Sequence, residues 1–175
     1  MKSALLIIDM LNDFVLSGAP LEIPRAKEII PVIKSQIEAA RFLGWLVVYV
    51  CDSHEKNDKE FEKWPKHAIK GTPGSDIVEA LKPKVGDLVV PKTRYSGFFG
   101  TDLEEHLEVR KIEWLHLVGV ATDICVLATA IDALMCDFEV VVYEKPTATL
   151  NLQRQSRVLK VMQDIGVEIE WIIKK

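Results

Sequence analysis

Five short aliphatic runs without polar alternation constrain the fold of this chain more than any other feature of its sequence. The runs are rich in Val, Ile and Leu, and they lie at residues 4–8, 46–51, 88–90, 114–118 and 140–143. A strand with one face in water alternates apolar and polar residues, whereas a strand that is buried on both faces is apolar throughout. The five runs therefore predict buried strands of a parallel sheet.

A sixth run, residues 167–173, does alternate, because Glu168 and Glu170 separate its apolar residues. One face of this strand is expected to be wetter, as at the edge of a sheet. Amphipathic stretches with helical spacing lie between the strands: residues 25–43, which end at Gly44, residues 122–136, which are apolar enough to be buried, and residues 152–165, which end at Gly166.

Strands that alternate with helices form βαβ units with right-handed crossovers. The predicted fold class is therefore α/β, a three-layer α/β/α sandwich with a mainly parallel sheet of five or six strands. A length of 175 residues suits a single domain over residues 1–175.

Charge and cysteine content narrow the classes of partner and compartment. A net charge of −4 gives no basic surface, which argues against nucleic acid or an anionic membrane as the partner. The 3 cysteines are too few for a disulfide scaffold and cannot all pair, so they are interpreted as reduced thiols. The N-terminus has no signal-peptide pattern and no apolar run is long enough to span a membrane. The expected location is the cytoplasm.

Two long polar segments, residues 12–24 and 52–74, do not fit the alternation of strands and helices. Both contain Pro and Gly, and both begin near the carboxyl end of a predicted strand. Loops of this length are uncommon in a compact domain unless they carry function. Open α/β sheets also bind their ligands at the carboxyl ends of the strands. We therefore expect the site at this edge.

Asp9 and Lys92 each follow a predicted strand directly. Asp9 is interpreted either as a cap of the following turn or as a partly buried general base with a raised pKa. Lys92 is either an ordinary solvent-exposed lysine or a buried ammonium that stabilises a neighbouring thiolate and carboxylate.

Cys125 follows Gly119 through a short turn and falls in the first turn of a predicted helix. Unpaired N–H groups at a helix N-terminus favour a thiolate and can bind an oxyanion, which makes Cys125 a candidate nucleophile. The alternative is a small buried hydrophobic residue, the commoner role of a free cysteine. Cys51 and Cys136 lack this context and are interpreted as structural.

Asp52, His54 and His67 lie in the second long segment. One carboxylate and two imidazoles could bind Zn²⁺ or another divalent metal and leave coordination positions open. The alternative is a pair of loop histidines that never meet.

Four sequence blocks together resemble the isochorismatase-like cysteine hydrolases, and among them the nicotinamidases. The blocks are LIIDMLNDF at residues 6–14, PK at residues 91–92 with YSGFFGTDL at residues 95–103, GVATDICV at residues 119–126, and DSH at residues 52–54 with WPKH at residues 64–67. No single block is specific, but their order and spacing extend over nearly the whole chain.

This resemblance implies a role for each candidate residue. Asp9, Lys92 and Cys125 would form a catalytic triad, and the backbone N–H groups of Ala121 and Cys125 would bind the oxyanion, next to a cis peptide bond before Ala121. The implied cofactor is a divalent metal, most often Zn²⁺. Its implied ligands are Asp52, His54 and His67, with Glu60 as a further ligand. The implied substrate-binding residues are Phe14, Trp64 and Tyr95.

The function implied by the resemblance is hydrolysis of a small-molecule amide, with nicotinamide as the first candidate. A carbamoyl, ureido or other small amide is the alternative. Isochorismate cleavage is disfavoured by Cys125 and by the candidate metal ligands within residues 52–67, which are called the metal loop below. Two departures bear on specificity: Leu11 stands where many members have Gln, and Arg94 could bring a positive charge toward the pocket. A binding scaffold without activity is the alternative outside the enzymes. Members of the family are often dimers or tetramers, so a homo-oligomer is expected.

Overall fold

The computed structural model describes residues 1–173 and contains a six-stranded parallel sheet with the strand order β3-β2-β1-β4-β5-β6. The strands are β1 (Ser3–Ile8), β2 (Leu46–Asp52), β3 (Leu88–Lys92), β4 (Trp114–Val120), β5 (Glu139–Ala148) and β6 (Glu168–Glu170). The helices are α1 (Asn12–Val15), α2 (Ala26–Phe42), α3 (Leu103–Val109), α4 (Leu127–Met135) and α5 (Leu152–Asp164). The predicted α/β sandwich is confirmed.

The central strand β1 explains why its run of residues lacks alternation. Leu5 and Ile7 pack into one hydrophobic cluster with residues of α2, whereas Leu6 and Ile8 pack into a second cluster with residues of α3, α4 and α5. All four side chains are buried. Each face of the sheet thus has its own core, which requires aliphatic residues at successive positions of the strand. By contrast, β6 lies at an edge of the sheet, as its alternation predicts.

The structure differs from the sequence prediction in four segments. The predicted edge strand over residues 167–173 is shorter in the structure, where β6 covers only Glu168–Glu170. Helix α3 was not predicted, because its buried residues Leu103 and Leu107 give only one helical repeat. The segment 12–24 contains the short helix α1. The predicted helix over residues 122–136 begins instead as a π-helical turn, Thr122–Val126, and α4 continues from it.

The strand order contains one point where the chain changes direction across the sheet. From β1 it moves outward to β2 and β3, and it then returns to place β4 on the other side of β1. The connections that follow β1 and β4 therefore diverge, which leaves a crevice at their carboxyl ends. Asp9 follows β1 directly, and the turn that carries Cys125 follows β4.

Gly119 allows the close approach of β1 and β4 beside this crevice. It pairs with Ile8 in the strand register, and its φ of 113° lies in a region that L residues rarely adopt. A Cβ atom at this position would collide with the main chain of Ile8.

Within residues 1–173, no helix has both the length and the apolar character needed to cross a membrane.

His116 of β4 provides a test of the core on the α2 side of the sheet. Its ring stacks on Trp45, with 3.9 Å between ring centroids, and its Nδ1 lies 2.9 Å from Oη of Tyr143. Burial lowers the pKa of His116 to about 4. In an unfolded chain a histidine has a pKa of about 6.5. At a pH between the folded and the unfolded pKa, the imidazole of His116 is therefore protonated in the unfolded chain and neutral in the folded protein. Stability should therefore be lost as the pH falls below about 6.5.

For this single group, the linkage predicts that the free energy of unfolding falls by about 2 kcal/mol between pH 7 and about pH 5. We expect His116→Gln to lose that part of the pH dependence in urea unfolding, whatever its stability at pH 7. His106→Gln is the control, because His106 is a half-buried residue of α3 that, among the described residues, contacts only the exposed Asp102 by charge. If wild type and His116→Gln had the same dependence on pH, the buried neutral imidazole would be excluded as its source.

Candidate active site

A cavity of about 340 Å³ opens at the carboxyl ends of the strands. Its lining includes the thiol residue Cys125 and the metal-loop residues Asp52, Glu60 and His67. The two long segments singled out in the sequence, 12–24 and 52–74, both contribute to its wall, which agrees with their placement after strands.

The structure brings Asp9, Lys92 and Cys125 together beneath this cavity. Lys92 Nζ lies 2.8 Å from Oδ2 of Asp9 and 3.6 Å from Sγ of Cys125. A carboxylate oxygen of Asp9 and the sulfur of Cys125 lie within 4.8 Å of each other. All three side chains are buried, and Lys92 is exposed by only 1%. The interpretation of Lys92 as a solvent-exposed residue is therefore wrong.

The surroundings of Asp9 bring its pKa closer to neutral pH. Burial and the negative charge of Asp52 raise the pKa of Asp9 to about 6, while Lys92 opposes the rise. Its Oδ1 accepts a hydrogen bond of 2.8 Å from the backbone N–H of Asp52. A carboxylate with this pKa is mostly ionised near neutral pH and can still accept and return a proton.

The surroundings of Cys125 favour the thiol over the thiolate. Burial raises its pKa well above the ordinary range, and the attraction of Lys92 is outweighed by burial together with the carboxylates of Asp9 and Asp52. A lowered thiol pKa, expected from the helix N-terminus and the ammonium, is therefore not found. The sulfur can become nucleophilic only if a neighbouring base removes its proton as it reacts.

Lys92 is held charged by two carboxylates. Burial alone would lower its pKa, but Asp52 and Asp9 raise it well above the ordinary range. Asp52 forms an ion pair with Nζ of Lys92. Burial would raise the pKa of Asp52, but the charge of Lys92 lowers it far below the ordinary range.

The π-helical turn after β4 presents Cys125 to the cavity. The carbonyl oxygen of Ala121 accepts hydrogen bonds from the N–H groups of Ile124 and Val126, which closes the turn around the cysteine. The peptide bond between Val120 and Ala121 is cis, as the resemblance implied. Ala121 and Cys125 both line the cavity. Their role as oxyanion donors stays a prediction.

Asp52, His54 and His67 converge on one point, so the alternative of two histidines that never meet is wrong. Nε2 of each histidine lies 3.6 Å from Oδ2 of Asp52. His67 Nδ1 lies 2.7 Å from the carbonyl oxygen of Pro65, which can only accept a hydrogen bond, so in the neutral ring Nε2 of His67 carries the lone pair. His54 Nε2 is buried and has no hydrogen-bond partner among the described residues.

This donor set fits a divalent metal. Two imidazole nitrogens and one carboxylate oxygen, with an unpartnered buried nitrogen facing the others, match the ligands that Zn²⁺ prefers. Glu60 lies outside this three-residue cluster but lines the same cavity. Burial and the charge of Asp52 raise the pKa of Glu60.

Phe14, Trp64 and Tyr95, the residues predicted to bind substrate, all line the cavity. Trp64 Nε1 donates a hydrogen bond of 2.9 Å to Oη of Tyr95, which joins the metal loop to the segment after β3. The ring of Phe14 contacts His67 edge-on, with 5.4 Å between centroids. The cavity thus has aromatic walls suited to a flat ring.

Three further residues near the cavity were not singled out from the sequence. Arg154, in the first turn of α5, forms an ion pair with Asp123, and Thr149 donates a hydrogen bond to the same carboxylate. All three line the cavity. In the sequence, the position of α5 directly after β5, at the same edge of the sheet, could have indicated that Arg154 lies near the site. Of the two departures, Leu11 is a buried core residue, and Arg94 binds Asp58 and does not line the cavity.

Comparison with known proteins identifies the family. A family model described as the isochorismatase domain matches residues 3–170. The chain belongs to the isochorismatase family. The family resemblance deduced from the sequence blocks is therefore confirmed.

Relatives within the isochorismatase family differ in the activity that their names state. A Bacillus subtilis protein named as an uncharacterized isochorismatase family protein, PncA, is 38% identical over 181 residues, with 97% of this chain and 99% of the relative covered. An Arabidopsis thaliana relative, 33% identical with 97% and 94% covered, is named a probable inactive nicotinamidase.

Solved structures of this family superimpose closely. Pyrazinamidase of Pyrococcus horikoshii in complex with zinc has a TM-score of 0.91 at 32% identity, covering 97% of this chain and 98% of that one. Nicotinamidase PncA from Bacillus subtilis has a TM-score of 0.90 at 36% identity, covering 97% and 100%. N-carbamoylsarcosine amidase from Thermoplasma acidophilum has a TM-score of 0.87 at 35% identity, covering 97% and 96%. The names of these proteins state different substrates. Family membership therefore shows that the chain is related to hydrolases, but it does not show which amide the chain would cleave.

Proposed function

We propose that the chain is a cysteine-dependent amidohydrolase that converts nicotinamide to nicotinate and ammonia through a thioester on Cys125. The observation that carries this proposal is the buried contact of a carboxylate, an ammonium and a thiol at one wall of a cavity with aromatic sides. Nicotinamide is a flat aromatic ring with an amide group, which suits a cavity with aromatic side chains in its wall.

In the first step, Asp9 accepts the proton of the Cys125 thiol while the sulfur attacks the amide carbon. Asp9 suits this role because its pKa of about 6 leaves it mostly ionised near neutral pH. The ammonium of Lys92 stabilises the negative charge that moves from the carboxylate to the sulfur.

The attack forms a C–S bond and moves the carbonyl electron pair onto oxygen. The backbone N–H groups of Ala121 and Cys125 stabilise this oxyanion, and loss of one such donor typically costs about 3 kcal/mol of barrier. The intermediate then collapses, the C–N bond breaks, and Asp9 gives its proton to the departing nitrogen. Ammonia leaves, and the acyl group stays on sulfur as a thioester.

In the second half, a water molecule loses a proton to Asp9 and attacks the thioester carbon. The C–S bond breaks, the acid is released, and Asp9 returns its proton to the thiolate of Cys125. Asp9 thus acts once as base and once as acid in each half of the reaction, which a carboxylate with a pKa between that of an ordinary aspartate and neutral pH can perform.

Asp52, His54 and His67 would hold a divalent metal, Zn²⁺ by preference, at the side of the cavity. A bound metal would supply a Lewis acid that orients the ring nitrogen of the substrate or a water molecule. Lys92 contributes here as well, because it neutralises Asp52 on the side opposite the histidines.

Arg154 favours a second candidate, the hydrolysis of an amide that also carries a carboxylate, such as a carbamoyl or ureido acid. It carries the one guanidinium or ammonium group among the described residues that line the cavity. Its Nε pairs with Asp123, and the described residues offer no partner to its two terminal nitrogens. A guanidinium with free N–H groups is suited to bind a carboxylate in two parallel hydrogen bonds.

Ammonia release from nicotinamide and from a panel of carbamoyl and ureido acids separates these candidates. We expect the wild type to have its highest kcat/KM on nicotinamide. Arg154→Gln should then reduce kcat/KM by a similar factor on nicotinamide and on the acids of the panel, without a selective loss on the acids. If a carbamoyl acid is the substrate, the variant should selectively lose about 10- to 100-fold on it, as for a hydrogen bond between charged groups.

Arg157→Gln, one turn further along α5 and exposed, is the matched control for a change of charge near the site. Because Arg154 also holds Asp123, the informative quantity is the ratio of activities on the two substrate classes. Release of ammonia from none of the amides would instead favour the binding scaffold.

A further inference from the structure

Asp58 contacts the metal-binding residue His54 from the side away from Asp52. Its Oδ2 lies 3.1 Å from Nδ1 of His54, whose side chain is fully buried. The same carboxylate accepts a hydrogen bond of 2.9 Å from the backbone N–H of Glu60 and thereby caps the short 3₁₀ turn Lys59–Glu62. Asp58 therefore fixes the loop and the ring together.

Arg94 holds Asp58 in this position. Its Nη1 lies 3.0 Å from Oδ1 and 3.2 Å from Oδ2 of Asp58, and 3.8 Å from a carboxylate oxygen of Glu60. Arg94 lies two residues after Lys92, at the end of β3. An ion pair thus connects the metal loop to the end of β3, the strand that carries Lys92.

The contact with Asp58 decides which nitrogen of His54 can bind a metal. An ionised carboxylate only accepts hydrogen bonds, so Nδ1 of His54 must carry a proton, and in the neutral ring that binds a metal Nε2 then carries the lone pair. Nε2 is the atom that faces Oδ2 of Asp52, at 3.6 Å, with no other partner among the described residues. In His67 the carbonyl oxygen of Pro65 performs the same task, so there the orienting group is main chain.

We propose that Asp58 is a positioning residue for the metal site: its carboxylate, held by Arg94, orients the His54 ring and fixes the tautomer that can bind a divalent metal. This inference rests on the metal site of the proposed function. It assigns to Arg94 a structural role at the metal loop in place of contact with substrate. Carboxylate groups behind a metal-binding histidine typically change metal affinity by about 10- to 100-fold.

The test is the affinity of the purified full chain for Zn²⁺, measured by competition with a chromophoric chelator. Asp58→Ser keeps a side-chain oxygen that can cap the 3₁₀ turn but is too short to reach His54 as well. We expect it to weaken Zn²⁺ binding by about 10- to 100-fold. Asp58→Asn keeps an acceptor at the length of the native one, so it should recover part of this loss.

Glu62→Gln, an exposed change in the same turn, is the matched control and should leave the affinity within about twofold. Thermal unfolding in the presence of EDTA checks that the variants fold equally well. If Asp58→Ser bound Zn²⁺ as tightly as the wild type, the positioning role would be overturned while the metal site stood. If the wild type bound no Zn²⁺, the metal site itself would fail, and this inference with it; ammonia release then tests the triad separately.

Discussion

Replacing Cys125 by alanine is expected to reduce kcat for ammonia release by about 10⁴-fold or more, with little change in the fold. The variant removes the sulfur that forms the covalent intermediate, and loss of a nucleophile in such enzymes leaves only the contribution of binding and oxyanion stabilisation. The substitution deletes one buried atom, so the free energy of unfolding should change by no more than about 1–2 kcal/mol. Steady-state kinetics and urea unfolding measure the two effects.

Cys136→Ala is the matched control, because this thiol lies at the end of α4, away from the cavity. We expect its kcat to remain within about twofold of the wild type. Cys125→Ser adds a second comparison, since an oxygen nucleophile with a much higher pKa should also be nearly inactive. Retention of even a tenth of the wild-type kcat by Cys125→Ala would rule out the thioester mechanism.

Lys92→Met is expected to lower the free energy of unfolding by about 3–5 kcal/mol at neutral pH, the usual cost of removing one partner of a buried ion pair. Asp9 and Asp52, exposed by 0% and 4%, would face each other without their shared cation. The difference in the free energy of unfolding between Lys92→Met and the wild type should become smaller as the pH falls. A buried carboxylate without its cation has a raised pKa, so in acid the folded state takes up a proton that the unfolded chain does not.

Urea unfolding in the presence of a chelator measures this effect without a contribution from bound metal. The control is Lys160→Met, which removes a surface ion pair with Asp164 of 2.8 Å and should cost about 0.5 kcal/mol or less. Combining Lys92→Met with Asp9→Asn should recover part of the loss, because one uncompensated charge is removed. Equal losses for the two lysine variants would show that Lys92 does not balance buried carboxylates.

The sheet could be predicted because its sequence signal is local. Leu5 and Ile7 serve one core and Leu6 and Ile8 the other, so burial on both faces appears directly as an unbroken aliphatic run. Asp9 lies at the end of that run and Lys92 at the end of β3. Because parallel strands bring their carboxyl ends to one edge of the sheet, the sequence also predicts that these two residues lie at the same edge.

Other features depend on contacts between distant segments and could not be read from spacing. His54 and His67 are separated by a long loop whose path is set by the 3₁₀ turn and by Ala68 N–H, which donates a hydrogen bond of 2.8 Å to Asp13. The partner of Arg94 was missed for the same reason, because Asp58 lies 36 residues away in the chain. The rise in the thiol pKa of Cys125 was also missed, since a sequence reveals the neighbouring cation but not the depth of burial.

Gly119 has a consequence for how substitutions are tolerated along β4. Its missing side chain sets the spacing between the main chains of β1 and β4, immediately before one strand delivers the acid and the other the sulfur. Any larger residue there must push the two backbones apart. Such a change would lengthen the proton-transfer path without altering either reacting group, so a loss of activity in a variant at position 119 would report on distance and not on chemistry.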